Sequence, residues 1–500
     1  MEASPLPLPL LWTAFIAPII AGFLAPSFND DRKPMIVTTV SWLISTLLLL
    51  TAAICAWPYP AYDPLIFDLT PYLGYFVFVL DGISLPFALA VAIVSMLVAI
   101  YSLPYMKHRF EELGKGDFGT YYLLYQLFTA GMLGAVLSTN TIEFYLMLEL
   151  TLIPSFLLIA FYGYGDRLRV ALLYLVWTHV GAGLYLLGAL LMASYKGFDT
   201  FMPGIGYVEK FYNTAPLIAV ISMIVGLAIK MALVGVHFWL PHAHAEAPTP
   251  ISALLSPLLI GVAGYALLRF VWVFARQELF VVQPYLVAWS LITIIYGGLV
   301  ALRQDDIKRF LAYSSISQMG YLALGFSLLN LWGFGGLGLH FVAHAIGKAV
   351  LFMVAGTIIV IIGTRRIAEL GGLLSAQPWL AGATLLGVMH LVGIPPALAF
   401  WSKYLLARGL ITYGVLYDTS VFTLLISAFI LATMISTVYS FVFFRKIFLG
   451  PIKARVEREL NGKDPLVLPM TLLLFFGVLS FFALEAYLRP MVMLFSSLMR

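Results

Sequence analysis

Long apolar runs separated by short polar breaks extend along nearly the whole chain. A helix needs about 20 apolar residues to cross a hydrocarbon core roughly 30 Å thick, and runs bounded by charge, proline or glycine reach that length repeatedly. The pattern predicts an all-α, polytopic membrane protein with little chain left for a soluble domain. About fourteen transmembrane helices are predicted, beginning near residues 9, 35, 83, 119, 141, 169, 215, 251, 283, 308, 333, 376, 418 and 466.

Composition supports this interpretation and excludes several kinds of chemistry. Hydrophobic residues make up 62% of the 500 residues and charged residues only 10%, whereas a soluble chain carries about a quarter charged residues. The single cysteine, Cys55, lies inside an apolar run, which excludes a disulfide or a cysteine-based metal or iron–sulfur site within this chain. Nucleotide, flavin and haem motifs are also missing from the sequence, so we expect no cofactor in this chain. The net charge of +4 is dispersed through short loops, which argues against binding nucleic acid.

The basic residues predict how the chain is oriented. If the first span runs from outside to inside, the inner loops lie near residues 30, 107, 166, 242, 306, 365 and 450 and hold most of the lysine and arginine. Basic loops face the cytoplasm, so we expect both termini to lie outside a cytoplasmic membrane. The apolar stretch from Pro9 to Pro26 follows no basic residue and is interpreted as a retained helix instead of a signal peptide.

Two apolar stretches are interrupted by prolines beside a lysine. Residues 230–250 contain Lys230 and three prolines, and residues 390–403 contain two adjacent prolines and Lys403. Either break alone is typical of an ordinary proline kink, but paired breaks indicate inverted repeats with a site at mid-membrane. We therefore predict that helices 7 and 12 are broken. The predicted units are N-terminal helices 1–3 in residues 1–118, five-helix inverted repeats in residues 119–275 and 283–448, and a C-terminal helix in residues 466–500.

A small set of ionisable side chains remains inside the predicted spans, where each costs about 2.5 to 3.5 kcal/mol to insert. For one such residue alone, snorkelling or a structural ion pair explains its presence as well as a functional role does. Six at similar depths indicate a pathway that conducts cations. The six are Glu149, Lys230, His340, His344, Lys348 and Lys403, and the pattern leaves open the depth of Glu143, His179, His237 and His390.

The most specific local pattern lies on one face of predicted helix 11. His340, His344 and Lys348 are spaced four residues apart, which places both imidazoles and the ammonium on the same side of a helix. Histidine and buried lysine can both exchange protons near neutral pH, so this face is interpreted as a proton relay. Two histidines at this spacing could instead ligate a metal ion, but the span offers no third ligand, so we expect no metal site.

Four motifs together carry a family resemblance over about residues 80 to 450. They resemble the antiporter-like membrane subunits shared by respiratory complex I, Mrp-type cation/proton antiporters and membrane-bound hydrogenases. The run 243–257 most resembles the large antiporter-like subunit of archaeal membrane-bound hydrogenases and sulfane sulfur reductases. The motifs are Leu148-Glu149-Leu150 with Pro154, Lys230 with the run 237–249, the run 306–320, and the histidine stripe that ends at Lys348.

The resemblance implies roles for individual residues and for partners. Glu149 and Lys230 match the family's carboxylate–lysine pair, His344 and Lys348 match its central relay, and Lys403 matches its terminal ionisable residue. A subunit of this kind moves H⁺ or Na⁺ in a redox-driven complex, beside other membrane subunits and a peripheral redox module. Iron–sulfur clusters, and a nickel–iron centre in the hydrogenase case, are then expected in the partner subunits and not in this chain.

The chain departs from the family at one position. Many relatives have a lysine on helix 8, and alignment through Gly264 to Arg269 places Gly261 there. The bridge between the two halves must then use water, His344 or His340, or be interrupted. This departure leaves room for Na⁺ in place of H⁺, because a carboxylate with backbone carbonyls at a broken helix can hold a small hard cation.

Two other functional interpretations stay open. The chain could be an antiporter unit of an Mrp-type complex without redox partners, or a membrane scaffold whose charges only bind neighbouring subunits. Asp81, before predicted helix 3, is interpreted as a helix-start residue. The charged run 305–309 is interpreted as an interfacial ion-pair cluster, although similar charges in relatives link the two halves. The predicted residues for ion translocation are therefore Glu149, Lys230, His237, His340, His344, Lys348 and Lys403, and the accessory candidates are Glu143, His179, His390 and Asp306.

Overall fold

The computed structural model describes residues 3–203, 205–207, 215–415, 419–453, 456 and 467–498, and most of them are helical. The predicted helix starts at residues 418 and 466 lie outside the described residues. The helices up to the middle of the chain are α1 (Leu10–Leu24), α2 (Arg32–Ala56), α3 (Ser84–Leu113), α4 (Phe118–Leu137), α5 (Thr141–Tyr162), α6 (Arg167–Lys196), α7 (Leu217–Met231), α8 (Trp239–Glu246) and α9 (Thr249–Trp272). The later helices are α10 (Arg276–Leu302), α11 (Ile307–Ser327), α12 (Leu331–Ile362), α13 (Leu373–Ala376), α14 (Pro378–Val392), α15 (Ala399–Gly414), α16 (Thr419–Phe448), α17 (Leu468–Phe482) and α18 (Leu484–Leu498).

Many of these helices can span a membrane. Ten of the described helices are long and apolar enough to cross one, and α17 with α18 forms an eleventh candidate that bends by 61°. The shorter apolar helices α7 and α14 each end at one of the two predicted breaks. A multi-pass, mainly helical membrane protein is thereby confirmed, whereas the count of fourteen helices, the two repeats and the sidedness of the loops stay predictions.

Short strands outside the helices depart from the all-α prediction. They are β1 (Ser4–Pro5), β2 (Ala61–Tyr62), β3 (Phe67–Leu69), β4 (Gly74–Phe76), β5 (Val79–Leu80), β6 (Phe201–Met202) and β7 (Gly206–Tyr207). The strand β2 pairs in parallel with β1 and antiparallel with β5, while β3 with β4 and β6 with β7 form antiparallel pairs. Strands of two or three residues are too short for an alternating pattern to be read from the sequence.

Capping side chains explain where several helices begin and end. Asp117, Asn140 and Asp306 each precede a helix and accept hydrogen bonds from two backbone N–H groups of its first turn. These oxygens satisfy N–H groups that have no carbonyl partner within the helix. Gly114 and Gly363 end α3 and α12 in the left-handed conformation, with φ of 65° and 70°, which glycine tolerates because it lacks a Cβ.

Helix α12 lies at the centre of the bundle. It packs against α3, α9, α11, α14 and α15, and the apolar stretch of α9 is completely buried. By contrast, α2 and α16 keep most of their apolar surface outside the fold, as helices at a lipid or subunit boundary do. His340, His344 and Lys348 on α12 are therefore all buried in protein and not in lipid.

Paired glycines bring α6 and α7 into backbone contact. A Cβ on Gly226 would lie 2.5 Å from the carbonyl oxygen of Gly181, and a Cβ on Gly181 would lie 2.9 Å from that of Gly226. Small residues allow such close approach of helices in membranes. Because Gly226 precedes Lys230 by one turn, this crossing fixes the position of the lysine relative to α6.

We expect Gly226→Ala to lower the free energy of unfolding by about 1 to 3 kcal/mol, because the added methyl group forces two backbones apart. Thermal unfolding of the purified protein in detergent, followed by circular dichroism, measures this loss. Gly183→Ala on the same pair of helices is the matched control, since a Cβ there meets no atom within 4 Å. Equal unfolding temperatures for the two variants would contradict the proposed crossing.

Candidate functional site

A carboxylate and a lysine from neighbouring helices form one part of the site. Glu149 on α5 has 21% of its side chain exposed, and its Oε2 lies 3.3 Å from Nδ1 of His179 on α6. Its Oε1 is buried without a hydrogen-bond partner among the described residues. Lys230, in the last turn of α7, is 3% exposed, and its Nζ likewise has no partner there. Glu149 is the opposite charge that acts on this ammonium.

His179 places this pair at the edge of the bundle. Its side chain is 60% exposed on α6, so one side of the Glu149–His179 contact is open to whatever surrounds the chain. Lys230 lies deeper, behind α6. The structure therefore brings the three predicted residues into one region, with an exposed histidine, a half-buried carboxylate and a buried lysine.

Three tryptophans stabilise the break between α7 and α8. α7 ends at Met231, and Ala232 adopts the left-handed conformation with a φ of 56°. Carbonyl groups at the break accept hydrogen bonds from indole N–H groups, which replaces the bonds that a continuous helix would make. The donors come from α6, α8 and α10, so the break is fixed from three sides. The pairs are Trp177 with Val236 at 3.0 Å, Trp239 with Ile229 at 2.9 Å, and Trp289 with Val234 at 2.9 Å.

His237 lies within this break and is buried. Its Nδ1 accepts a hydrogen bond from the backbone N–H of Gly235 at 3.3 Å. The ring stacks on Phe238 and meets Tyr296 of α10 edge-on, with centroids 4.9 Å and 5.2 Å away. These contacts connect the break to α10.

Lys348 lies at the centre of the bundle and is fully buried. Its Nζ donates hydrogen bonds to the carbonyl of Leu311, at 2.9 Å, and to the hydroxyl of Ser314. Both acceptors belong to α11 and are uncharged, and no carboxylate within the described part of the chain forms an ion pair with this ammonium. A buried charge without a counter-ion is costly. Such a residue in a membrane protein indicates function by default.

Two histidines with unpartnered ring nitrogens flank Lys348. His344 lies one turn earlier on α12, beside the backbone of Pro257, and His244 lies near the end of α8. Both are fully buried, and no hydrogen bond reaches either ring from the residues that the structure describes. His244 is close enough to Lys348 and Lys308 for their charges to act on it. Sequence reasoning misses His244, because only the tertiary fold brings α8 against α12.

The other end of the α12 stripe connects to the second broken helix. His340 Nδ1 lies 2.9 Å from the hydroxyl of Ser402 on α15. The next residue, Lys403, places its ammonium 4.7 Å from the centroid of the Tyr321 ring, and the His340 ring lies 5.1 Å from the same centroid. A tyrosine of α11 thus contacts both His340 and Lys403, with a cation–π contact to the lysine.

Lys403 also stabilises the break between α14 and α15. α14 ends at Val392, Gly393 is left-handed with a φ of 88°, and Lys403 Nζ donates to the Val392 carbonyl at 2.9 Å. His390 is buried in the last turn of α14, where its Nδ1 lies 2.9 Å from the carbonyl of Leu386 in the same helix. This contact uses one ring nitrogen, while Nε2 of the same ring is buried without a hydrogen-bond partner among the described residues.

A second buried charge cluster lies outside the predicted site residues. Asp81 caps α3 through the N–H groups of Ile83 and Ser84, in agreement with its interpretation as a helix-start residue. Its carboxylate also accepts two hydrogen bonds from Arg269 of α9, at 2.7 and 2.8 Å, and one from the hydroxyl of Tyr207. Both charged side chains are fully buried. The partner lies 188 residues away in the chain, so no local pattern points to this pair.

Glu143 lies on the side of this second cluster. It is fully buried in the first turn of α5, and neither carboxylate oxygen has a hydrogen-bond partner within the described ranges. Tyr265, which accepts a hydrogen bond from Arg269, lies within electrostatic reach of Glu143. Glu143 precedes Glu149 by six residues, which separates the two along α5 by about 9 Å.

The charged run at the start of α11 is not wholly interfacial. Asp306 caps α11, and its Oδ2 lies 2.7 Å from Nε of Arg365. Lys308, by contrast, is 1% exposed. Its Nζ donates to the carbonyls of Ala245, at 3.3 Å, and Ala247 at the end of α8, where the helix dipole favours a cation. The prediction of an interfacial lysine at this position is wrong, because the carbonyl end of α8 gives it a buried binding place.

The predicted residues thus form two groups. Glu149, His179 and Lys230 lie together in the first half of the bundle, with His237 beside them. The second group follows α12 from Lys348 through His344 and His340 to Lys403. Of the contacts described above, none joins a residue of the first group to a residue of the second among the described residues.

Comparisons with known proteins identify the family and the fold. A family model described as "NADH:quinone oxidoreductase/Mrp antiporter, TM" matches residues 138–447, and one described as "NADH-Ubiquinone oxidoreductase (complex I), chain 5 N-terminus" matches residues 74–113. NADH-quinone oxidoreductase subunit M of Rickettsia conorii is 28% identical over 499 residues, covering 95% of this chain and 96% of the relative. The hydrogenase-4 component F homolog of Methylacidiphilum infernorum is 32% identical over 340 residues, covering 66% of this chain and 71% of the relative.

Two solved structures share the fold. The membrane-bound sulfane sulfur reductase, an archaeal respiratory membrane complex, contains a chain that aligns with a TM-score of 0.79 at 22% identity, covering 94% of this chain and 75% of that one. The Mrp complex from Dietzia sp. DQ12-45-1b contains a chain that aligns with a TM-score of 0.78 at 21% identity, covering 96% of each chain. At this level of identity the likeness shows the architecture.

Proposed function

The chain belongs to the NADH:quinone oxidoreductase/Mrp antiporter family of membrane subunits, and from this membership we propose that it moves H⁺ or Na⁺ across a cytoplasmic membrane as one subunit of a redox-driven respiratory complex. Its buried lysines carry the translocation path, in the order Lys230, Lys348 and Lys403. The chain supplies binding sites and electrostatics, and electron transfer takes place in its partners.

The environment of Lys230 is the observation that carries this proposal. Its ammonium is buried without a protein hydrogen bond in the part of the chain that is described, and the charge that acts on it is Glu149. The carboxylate favours the charged amine, and burial opposes it. A change in the position or charge of Glu149 therefore switches the lysine between holding and releasing its proton. The exposed His179 lies 3.3 Å from Glu149 and can pass the released proton to the edge of the bundle.

The second group of residues supports a continuous relay along α12. Lys348 and Lys403 are held by carbonyl and hydroxyl oxygens and by an aromatic ring, and none of these partners neutralises a charge. His344 and His340 lie on the same face of α12 as Lys348, between Lys348 and Lys403. His340 is hydrogen-bonded to Ser402, the residue that precedes Lys403. Groups that are buried, unneutralised and spaced by one helical turn suit stepwise transfer of a proton.

Partners follow from the same proposal. We infer that other membrane subunits cover the exposed apolar helices, and that a peripheral redox module with iron–sulfur clusters supplies the energy, with a nickel–iron centre if the module is a hydrogenase. The basic loops then face the cytoplasm and both termini lie outside, as the distribution of lysine and arginine predicts.

An Mrp-type antiporter unit is the second candidate. The alignment with a chain of the Dietzia Mrp complex covers 96% of both chains, so the architecture alone suits an antiporter without redox partners. The composition of the purified complex separates the two candidates. A hydrogenase-like or other redox subunit in the complex supports the first, and ion exchange by a complex without any such subunit supports the second.

We expect Glu149→Gln to reduce ion translocation at least about tenfold, because the amide removes the charge that acts on Lys230 and keeps the side-chain volume. The measurement is H⁺ and Na⁺ flux by the complete complex reconstituted into vesicles. Glu111→Gln is the matched control, since Glu111 is exposed near the end of α3. Unchanged flux of both ions through a correctly assembled Glu149→Gln complex would favour the third interpretation, a membrane scaffold, over translocation.

A further inference from the structure

An aromatic ring fills the space beside Gly261, the position where the family resemblance leads one to expect a lysine. A Cβ on Gly261 would lie 2.4 Å from the ring of Phe341 on α12. Phe341 in turn stacks on Phe87 of α3, with ring centroids 4.1 Å apart and an interplanar angle of 21°. Both rings are fully buried. Any side chain at position 261 would have to displace the Phe341 ring, so the space that a lysine would need there is taken by an aromatic group.

A direct hydrogen bond between hydroxyl groups joins the halves nearby. Ser256 Oγ on α9 lies 2.7 Å from Ser315 Oγ on α11, and both side chains are fully buried. α9 ends the first predicted repeat, and α11 belongs to the second. Ser256 lies within a π-helical stretch, Leu255–Leu259. Such stretches are rare and occur often at functional sites.

The hydrogen-bond pattern leads from this pair to Lys348. Ser315 Oγ donates to the carbonyl of Leu311 at 2.9 Å, so its single hydrogen is used and Ser256 is the donor within the pair. The same Leu311 carbonyl accepts a hydrogen bond from Lys348 Nζ at 2.9 Å. Ser315 and Lys348 therefore share one acceptor. Two donors to one oxygen lie close enough for a single bridging water to connect them.

On the other side, hydroxyl groups lead from Ser256 toward the first broken helix. Ser252 lies one turn earlier on α9, which places it on the same face, and it is also fully buried. Its Oγ donates to the carbonyl of His244 on α8 at 3.5 Å. α8 continues the broken span that carries Lys230. The hydroxyl face of α9 thus extends from the first broken helix to α11.

Resting on the proposed function, we propose that Ser256 and Ser315 form the crossing through which protons pass between the two halves, in place of a lysine on α9. As Ser256 Oγ accepts a proton from water on the side of the first broken helix, it gives its own hydroxyl proton to Ser315 Oγ. Ser315 then gives its proton to the neutral amine of Lys348, and both hydroxyl groups are restored. Each oxygen gains one proton and loses one. A chain of hydrogen bonds passes protons and not metal cations, so the ion at this crossing is H⁺.

Two isosteric variants of Ser256 test this crossing in the complete complex, reconstituted into vesicles. Threonine and valine have the same shape and are both one methyl group larger than serine, so the two variants disturb packing to the same extent. Ser256→Thr keeps the hydroxyl group, and Ser256→Val replaces it with a methyl group. We expect the valine variant to conduct protons at least about tenfold more slowly than the threonine variant. Ser315→Ala is expected to match the valine variant. The double variant is expected to be no slower than either single one, because both belong to one chain of hydrogen bonds.

Ser317→Ala is the control for loss of a buried hydroxyl group on α11, since Ser317 Oγ donates to the Ile294 carbonyl at 2.8 Å outside the crossing. Equal proton flux through the threonine and valine variants, or a loss in Ser317→Ala as large as in Ser315→Ala, would overturn the proposed crossing. If the serine variants conduct normally while Glu149→Gln does not, the crossing is wrong and the proposed function stands. If Glu149→Gln also conducts normally, both fail. The proposed crossing would also be overturned if the complex carried no protons and Ser256→Val lowered its sodium flux.

Discussion

Lys348→Met is expected to reduce proton translocation at least about 100-fold, the lower end of what a positioned acid or base contributes, while the thermal stability of the chain is preserved or raised. Methionine fills a similar volume without a charge, and replacing a buried charge by an apolar group is often neutral or stabilising. The backbone acceptor is not left unsatisfied, since the Leu311 carbonyl also accepts a hydrogen bond from Ser315. Function and stability therefore move in opposite directions at this position.

Two measurements on the same preparation check this result, proton flux in vesicles and the unfolding temperature in detergent. Lys107→Met is the control, because Lys107 is exposed near the end of α3 and removal of its charge disturbs no buried group. A large fall in unfolding temperature with Lys348→Met would indicate a structural ammonium. Normal flux would remove Lys348 from the path.

Arg269→Leu is expected to lower the free energy of unfolding by about 3 to 5 kcal/mol, because it leaves the Asp81 carboxylate buried without its partner. The two side chains are fully buried and joined by two hydrogen bonds. Thermal or denaturant-induced unfolding in detergent measures the loss. The effect should appear in the isolated chain as well as in the complex, since the pair lies within one chain.

The double variant Asp81→Asn with Arg269→Leu is the informative control. It removes both charges, so no unpaired charge stays buried, and we expect it to recover a large part of the stability lost in the single variant. A double variant that is less stable than Arg269→Leu would show that the hydrogen bonds of Asp81 to the start of α3 matter more than its charge. A single variant with unchanged stability would contradict the proposed role of the pair.

The sequence predicts those parts of the site that lie on one helix or beside a proline. The spacing of His340, His344 and Lys348 is a property of helix geometry and needs no knowledge of neighbours, and the structure places all three inside the bundle. The prolines after Lys230 and before Lys403 indicate breaks where α7 and α14 do end. Local patterns of this kind carry their own physical cause, which is why they can be read directly.

Other parts depend on contacts between distant segments and cannot be read in this way. Whether Asp81 only caps a helix or also binds Arg269 depends on how α3 meets α9. The burial of Lys308 depends on the carbonyl end of α8 lying against α11. Ser256 and Ser315 are ordinary small residues in apolar helices until the fold places their oxygens 2.7 Å apart. The short strands are missed because two or three residues are too few to show an alternating pattern of apolar and polar positions.

The donors at the two helix breaks differ in one respect that bears on movement. Tryptophan indoles donate hydrogen bonds to the carbonyls of the first break. An indole keeps its N–H at every physiological pH, so these hydrogen bonds do not depend on protonation. The Val392 carbonyl at the second break is held by the amine of Lys403, and a hydrogen bond from an ammonium weakens once the amine is neutral. Deprotonation of Lys403 is therefore expected to weaken the hydrogen bond at the second break and to leave the indole hydrogen bonds at the first break unchanged.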